Sequence, residues 1–327
     1  MSYALRAAQV VSFALLTVPA IARADGNARA DGIAEGAHVF ARHAGMSFRD
    51  EDRSIGPVLP GMMLDVIKVQ GPWLWVGRGW VPAHDVVPMD SALAFYCQQI
   101  DQQPTYFALV TRARVYYERR EYDLAVADCS QAIALVPEAE STSALSMRAR
   151  ALARINQHDQ AMTDLNRAIQ IDPKCGVAYA GRGHLYLELG DPSKALEDFD
   201  RGVEFDPRSA WTRGGMGRAQ ATLGDYDRAI ADFGATLAIN PYLRAIWNNR
   251  GNAWFKKGDY SHALADYTVA IELGPTAQIY FNRALAWGRL GAADKADRDM
   301  AKALELDPKF GPAKRHDLKQ EPEDQRS

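Results

Sequence analysis

The chain has 327 residues, 47% of them hydrophobic, and a formal net charge of -3. This size and hydrophobic content exclude an intrinsically disordered protein and allow two ordinary domains. The slightly acidic balance also argues against nucleic acid as a partner, because nucleic-acid binding requires a basic surplus.

The first element in chain order is an apolar run from Ala7 to Ile21, which follows Arg6 and precedes Ala22-Arg23-Ala24. This order is typical of a secretory signal, here residues 1–24, with cleavage after Ala24. The run is shorter than the roughly 20 residues that a membrane span needs. We therefore expect a periplasmic or secreted protein with no stable membrane span after cleavage; an uncleaved anchor is the alternative.

Residues 33–88 follow a different pattern, in which apolar residues alternate and are interrupted by glycine and proline: GMMLDVIKVQGPWLWVGRGWVPAHDVV. Alternation of this kind predicts short strands joined by turns. Together with GAHVFARHAG before it, the segment resembles a bacterial SH3-like β-barrel. Its expected core includes Val39, Leu59, Leu64, Val66, Ile67, Val69, Trp75, Val76, Trp80 and Val81.

The barrel resemblance implies a possible ligand, because such barrels in other exported proteins bind cell-wall peptides. Trp73, Trp75 and Trp80 are the candidates for an aromatic ligand platform. The alternative is that two of these tryptophans belong to the core, since a small barrel needs bulky side chains to fill its interior.

The rest of the chain repeats itself. GDYDRAIADFGATLAINP at 224–241 returns as GDYSHALADYTVAIELGP at 258–275. Prolines recur every 33 to 36 residues, at Pro137, Pro173, Pro207, Pro241, Pro275 and Pro308, and an alanine stands twelve residues before each one. Each unit shows two helical patterns joined by a turn, and a period of this length indicates stacked helical hairpins, because one hairpin cannot bury its apolar face alone.

These residues resemble the tetratricopeptide repeat family, whose pattern has a small residue at position eight, alanine at twenty, an aromatic at twenty-four and proline at thirty-two. Position twenty-four is aromatic in the third, fourth and fifth units here. We place six units at 106–139, 142–175, 176–209, 210–243, 244–276 and 277–310. A linker or cap helix at 89–104 would precede them, and a capping helix with a charged tail at 311–327 would follow. The second unit departs most, with Asn156 and His158 at its turn. The implied fold is mostly α: a right-handed α-solenoid after a small SH3-like β-barrel.

One pairing pattern is internal to this chain. Aspartate occupies position twenty-three in all six units, and arginine occupies position seven in five of them. We predict that they pair, either between the two helices of a unit or between adjoining units. Met216 replaces the arginine in the fourth unit, so we expect Asp232 to be the exception.

The family resemblance also implies a concave groove lined by the first helix of each unit. The positions that face such a groove are here Arg114, Tyr117, Arg150, Arg154, His184, Trp211, Arg218, Asn248, Asn252, Phe255, Lys256, Phe281 and Arg289, together with Phe107, Glu118 and Glu188. Six cations against two carboxylates favour an acidic protein or peptide partner. The alternative is that these are ordinary solvated side chains. Asn252 and Asn282 resemble part of a clamp for a terminal carboxylate, but its lysines are missing.

No pattern indicates catalysis or a cofactor. GGMGRAQ at 214–220 lacks the third glycine of a dinucleotide loop and follows no strand. The three cysteines show no metal-ligand spacing, and we expect Cys129, at an aromatic repeat position, to be buried. The prediction is a non-enzymatic, exported interaction scaffold with no cofactor and no bound metal. The alternative is a cell-envelope module that binds peptidoglycan through the barrel and recruits an enzyme through the repeats.

Overall fold

A computed structural model describes residues 32–50 and 53–310. A region of short strands comes first in the chain and is followed by hairpins of α-helices. The predicted signal at 1–24 and the predicted capping helix and tail at 311–327 lie outside the described residues. Contacts divide the described residues into two compact bodies, an N-terminal body of residues 32–216 and a C-terminal body of residues 217–310.

The N-terminal body begins with a small β region. Its eight described strands are β1 His38–Ala41, β2 Ser47–Asp50, β3 Arg53–Pro57, β4 Met63–Asp65, β5 Lys68–Gln70, β6 Trp73–Trp75, β7 Trp80–Pro82 and β8 Val86–Pro88. They form two antiparallel sheets with the orders β4-β1-β8 and β3-β2-β7-β6-β5. Turn glycines with left-handed φ, such as Gly71 and Gly77, separate these short strands.

The interior of the β region contains most of the predicted core, including Val39, Leu64 and Val81. Leu59 is a correction, because 39% of this residue is exposed. Val58 beside it is buried and its amide donates to the carbonyl of Met46, so the extended chain turns the next side chain to solvent.

Thirteen α-helices follow within the described residues: α1 Met89–Gln102, α2 Tyr106–Glu118, α3 Tyr122–Leu135, α4 Thr142–Arg154, α5 His158–Ile171, α6 Gly176–Glu188, α7 Pro192–Phe205, α8 Ala210–Thr222, α9 Tyr226–Ile239, α10 Arg244–Lys257, α11 Tyr260–Leu273, α12 Ala277–Arg289 and α13 Ala293–Leu306. Except for α1, they alternate as the first and second helices of antiparallel hairpins. Consecutive helices pack against each other from α1 to α7 in the N-terminal body and from α9 to α13 in the C-terminal body. The fold is mostly helical, as predicted.

The turn between the two helices of a hairpin needs a left-handed residue. Glycine supplies it in later repeats, as at Gly190 with φ 81°. Asn156 adopts φ 61° in the second repeat, so the unusual residue there forms the same turn, and Arg120 adopts φ 65° in the first. Asparagine tolerates this conformation better than arginine because its short side chain is accommodated there.

The two helices of a hairpin approach closely where a small residue meets a larger one. A Cβ on Gly183 of α6 would lie 2.9 Å from the ring of Phe199 on α7, so only glycine leaves room for that ring. Repeats with glycine at this position carry an aromatic opposite it, whereas repeats with alanine carry a smaller side chain: Cys129, Leu165 and Met300. The sizes of the two partners are therefore matched within each hairpin.

The predicted Arg–Asp pairing is confirmed, and it occurs within each hairpin. In five repeats the arginine Nε and Nη2 atoms each donate to one carboxylate oxygen at 2.7–2.8 Å. The pairs are Arg112–Asp128, Arg148–Asp164, Arg182–Asp198, Arg250–Asp266 and Arg283–Asp299. All five aspartates are buried, so the regular carboxylates are structural.

All three cysteines of the sequence lie among the described residues and are free thiols. Cys129 is completely buried, as predicted, and burial raises its pKa. Residues 32–50 and 53–310 contain no group of three His, Cys, Asp or Glu side chains suited to a metal. Among the described helices, none combines the length and the hydropathy that a membrane crossing requires.

Candidate functional site

The first helices of the N-terminal body present a connected set of cationic and aromatic side chains on one face, which we call the first-helix face. At its centre the guanidinium of Arg150 on α4 lies between two aromatic rings. Its Cζ atom is 4.8 Å from the ring centroid of Tyr117 on α2 and 4.5 Å from that of Trp211 on α8. One cation thus joins the first, second and fourth repeats.

The aromatic contacts continue on both sides of Arg150. His184 on α6 stacks on Trp211 with ring centroids 4.5 Å apart and an interplanar angle of 17°. Tyr117 meets Tyr122 edge to face at 5.5 Å, and Arg154 lies over the Tyr122 ring. Six of the residues predicted to line the groove are therefore brought together: Arg114, Tyr117, Arg150, Arg154, His184 and Trp211.

The charges on this face are unequally compensated. Arg114 pairs with Glu118 at 2.7 Å, and Arg154 pairs with Glu188 at 3.9 Å. Arg150 has no described carboxylate within salt-bridge distance. Burial, together with the nearby charge of Arg114, lowers the pKa of Arg150 to about 10, although Tyr117 and Glu118 partly offset this. The face therefore keeps a partly desolvated positive charge.

The β region covers the part of this face that belongs to the first repeat. Phe107 of α2 is only 7% exposed because it packs into the hydrophobic core of the β region. The Gly61 amide donates to Thr111 Oγ1 at 3.2 Å, and a Cβ on Gly61 would lie 3.0 Å from Val110. This docking was not predicted from the sequence. Its signal in the sequence was the apolar character of Phe107 at a position predicted to face the groove, with Val110 one turn further along α2.

A second attachment joins the β region to the end of the third repeat. Arg78, in the turn between β6 and β7, forms an ion pair with Asp206. Arg208 donates from Nη1 to the carbonyl oxygen of Arg78 at 3.2 Å. The β region is therefore fixed to two separated repeats, the first and the third, within the N-terminal body.

The C-terminal body carries an amide network on its own first helices. Asn282 donates from Nδ2 to Oδ1 of Asn248 at 3.0 Å and to Oδ1 of Asn252 at 3.1 Å. Oδ1 of Asn252 also accepts from the Tyr267 hydroxyl at 2.8 Å. These bonds fix the amide orientations. The donor groups of Asn248 and Asn252 are then directed away from the network.

The other predicted groove residues of this body differ in exposure. Arg218, Lys256 and Arg289 are exposed, and Phe255 is half-buried against Tyr260. Phe281 is a correction, because it is only 5% exposed and meets Phe310 edge to face at 5.8 Å. It fills the last hydrophobic cluster of the body, with Met300 and Ala303, and is not accessible to a partner.

The predicted tryptophan platform is also corrected. Trp73 and Trp80 are 5% and 1% exposed, and only Trp75 is partly exposed. Trp75 and Trp80 meet edge to face at 5.5 Å. The small β region uses two of the three rings to fill its interior, which was the alternative expectation.

Comparison with protein families identifies the repeats. Models described as "Tetratricopeptide repeat" match residues 110–175 and 215–278, residues 176–209, and residues 277–310. Together these matches cover more than half of the chain. No functionally curated protein gives a significant sequence match.

Solved structures with the same fold include three at low sequence identity. The Cut9-Hcn1 hetero-tetramer of the APC/C gives a TM-score of 0.63 at 18% identity over 71% of this chain, but the match spans only 46% of that chain. PilW, titled a widely conserved type IV pilus biogenesis factor, gives 0.55 at 19% identity over 63% of this chain and 94% of its own. Pseudomonas aeruginosa PilF gives 0.55 at 15% over 70% and 97%. At these identities the likeness shows the fold alone.

Proposed function

The chain belongs to the tetratricopeptide repeat family, and on that premise we propose that it is a non-catalytic scaffold that holds a segment of a partner protein on its first-helix face. Repeat folds of this kind serve many partners, so the proposal depends on the site rather than on the fold. The site is the set of side chains around Arg150.

The observation that supports the proposal most strongly is the arrangement of Tyr117, Arg150 and Trp211. These three side chains come from three separate repeats, and the Arg150 guanidinium packs against both aromatic rings. Aromatic and arginine side chains held rigidly in this way are typical of binding hot spots, because they lose little conformational entropy on association.

The partner segment is proposed to be acidic. On the first-helix face of the N-terminal body, Glu118 pairs with Arg114 and Glu188 with Arg154, and Arg150 adds a third positive charge. An acidic segment would neutralise this excess, whereas a basic segment would increase it. Taken by itself, the C-terminal body has a separate polar surface, where the fixed amides of Asn248 and Asn252 are suited to backbone carbonyl groups.

Export remains part of the proposal. The basic, apolar and small-residue order of residues 1–24 supports a periplasmic or secreted location as a proposal. The partner would then be another exported protein or the exported part of a membrane protein.

The test is selection of a random peptide library on the purified protein, followed by calorimetric titration of the selected peptides. The expected result is convergence on acidic peptides that bind Trp211→Ala at least ten-fold more weakly. Arg201→Ala is the matched control, because Arg201 is an exposed arginine of the second helix α7 and should leave binding unchanged. Selected peptides that bind Trp211→Ala as well as the parent protein would contradict the proposal.

A second candidate function rests on the β region, whose order of strands and turns resembles an SH3-like barrel. It carries a cavity of about 420 Å³ lined by Met46, Val58, Leu59, Pro60 and Phe107 among others. We propose cell-wall peptide as the alternative ligand there. Sedimentation with purified peptidoglycan tests it: a protein that stays in the supernatant at every peptidoglycan concentration does not have this function.

A further inference from the structure

The arginines of the first-helix face differ in a way that points to a ligand group. Arg114 forms an ion pair with Glu118, and Arg154 forms one with Glu188. The third arginine, Arg150, has no described carboxylate within salt-bridge distance. A positive charge that is partly removed from water is costly unless it is paired and hydrogen-bonded. The two aromatic rings compensate part of that cost through their faces, and the Tyr117 hydroxyl also hydrogen-bonds to the guanidinium. The remaining in-plane N–H donors of Arg150 are left to other partners.

A second observation concerns the neighbouring arginine. Arg114 donates to Glu118 through Nη2, but its Nε is buried and has no hydrogen-bond partner within the described part of the chain. Buried donors are almost always satisfied in folded proteins, so an orphaned one needs an explanation. The Arg114 side chain is only 14% exposed, which limits access by bulk water.

The two arginines share an aromatic neighbour. The charge of Arg114 contributes to lowering the pKa of Arg150, and the Tyr117 ring contacts both guanidinium groups, with Arg114 Cζ at 5.6 Å and Arg150 Cζ at 4.8 Å from its centroid. After the Arg114–Glu118 pair is counted, this pair of arginines has one uncompensated positive charge.

We propose that Arg114 and Arg150 together receive a single carboxylate of the bound segment, held in the plane of the Arg150 guanidinium beside the rings of Tyr117 and Trp211. The inference rests on the proposed function, because the carboxylate belongs to a segment on the first-helix face. It is more specific than that function, since it assigns the recognised group to two named arginines.

The charge balance selects a carboxylate over a phosphate. One negative charge completes the neutralisation of Arg114, Glu118 and Arg150, whereas the second charge of a phosphate would be unmatched and would lie close to Glu118. The planar, two-oxygen shape of a carboxylate also fits the fork of a guanidinium whose faces are already covered by rings.

The test uses fluorescein-labelled hexaglutamate as the probe, with hexaglutamine and a phosphoserine peptide of equal length as comparisons, followed by fluorescence anisotropy at low ionic strength. Hexaglutamate should bind, and Arg150→Gln should weaken its binding at least ten-fold. Arg150→Lys keeps the charge but lacks the fork, so it should weaken binding by a smaller factor. Arg201→Gln should change nothing. Circular dichroism confirms that each variant is folded.

A direct readout of the orphaned donor is the side-chain Nε–Hε resonance of Arg114 in ¹⁵N-labelled protein. It should shift on addition of hexaglutamate, and the same titration with Arg114→Lys should lose that resonance and show weaker binding. These shifts keep the inference testable even where the Arg150 variants lose stability.

Several outcomes would overturn the inference: equal binding of hexaglutamate to the parent protein and Arg150→Gln, stronger binding of the phosphoserine peptide, or no shift of the Arg114 resonance at saturation. Failure here is separable from failure of the proposed function. If neutral peptides selected from the library bind in a Trp211-dependent manner and ignore Arg150→Gln, the scaffold function stands and the carboxylate site does not.

Discussion

The guanidinium of Arg182 on α6 holds both carboxylate oxygens of Asp198 on α7 at 2.8 Å. Asp198 is 5% exposed, so the pair is largely removed from water and its two charges depend on each other. Equivalent pairs occur in four other repeats. This ion pair is therefore the recurring polar contact between the two helices of a hairpin.

Removing one charge of that pair should destabilise the N-terminal body. Asp198→Asn keeps the size of the side chain but leaves the buried guanidinium uncompensated, so we expect the free energy of unfolding to fall by about 2–3 kcal/mol. Urea denaturation followed by circular dichroism measures it. Glu197→Gln is the control, since Glu197 is exposed on the same helix. If the urea midpoint of Asp198→Asn equalled that of Glu197→Gln, the ion pair would not stabilise the hairpin.

The close contact between Gly183 and Phe199 predicts a compensating pair of substitutions. Gly183→Ala places a methyl group 2.9 Å from the Phe199 ring, and we expect a loss of about 1–3 kcal/mol from overpacking. Phe199→Leu reproduces the combination found in the second repeat, Ala149 with Leu165.

The double variant Gly183→Ala, Phe199→Leu should therefore be more stable in urea than the sum of the two single variants indicates. Additive losses in this double-mutant cycle would show that the two positions are not matched to each other.

Gly234 offers a stabilising substitution in the C-terminal body. In other repeats the paired arginine also donates from Nη1 to a polar residue on the preceding second helix, namely Ser130, Asn166 or Thr268 at 2.7–3.1 Å. Gly234 holds that position before Arg250 and has no side chain to accept the bond; a Cβ there would lie 3.7 Å from Arg250 Nη1.

We expect Gly234→Ser to raise the free energy of unfolding by about 1–1.5 kcal/mol, from helix propensity and one added hydrogen bond. Gly234→Ala is the control, and alanine has the better helix propensity. In thermal denaturation, Gly234→Ser should nevertheless have a melting temperature equal to or higher than that of Gly234→Ala. A clear advantage for alanine would mean that no bond to Arg250 forms.

The His38–Asp65 pair predicts a pH dependence in the β region. Its 2.7 Å hydrogen bond to Asp65 raises the pKa of His38 above 6.5; Glu118 also raises it, while partial burial and Arg114 lower it. A raised pKa means that the folded state binds the proton more tightly. The stabilisation is therefore complete below the unfolded pKa of about 6.5 and is lost as pH rises through the folded pKa.

Since the His38 side chain is 48% exposed, the expected effect is small, about 0.5 kcal/mol. His38→Gln should lower the free energy of unfolding relative to the parent protein at pH 5.5, and the difference should shrink at pH 8. A difference that grows with pH would have the wrong sign for this pair.

The repeats could be predicted from the sequence because their contacts are local and periodic. In Arg182–Asp198 and in each equivalent pair, the aspartate lies sixteen residues after the arginine. The recurrence of Arg and Asp at this spacing was therefore sufficient to predict the bond. The turn at Asn156 was less obvious, but a residue that tolerates left-handed φ still occupied it.

The site around Arg150 was predicted residue by residue but not as an assembly. Arg150 of the second repeat contacts Trp211 of the fourth. That contact depends on how successive repeats stack, and the residue pattern within one repeat does not predict the stacking. The docking of the β region on Phe107 is equally non-local. Trp73 and Phe281 were assigned to ligand-binding surfaces but are buried. An aromatic residue at a surface-type position has the same sequence pattern whether or not a neighbouring segment covers it.

Site-specific photocrosslinking tests the central claim most directly. A benzoylphenylalanine placed at Tyr117 on the first-helix face, and another at Arg201 on α7, are compared in cells that express the protein, and crosslinked products are identified by mass spectrometry. The account predicts one partner captured from position 117, lost when Trp211→Ala is added, and none from position 201. Capture from position 201 alone, or capture from position 117 that persists in Trp211→Ala, would contradict it.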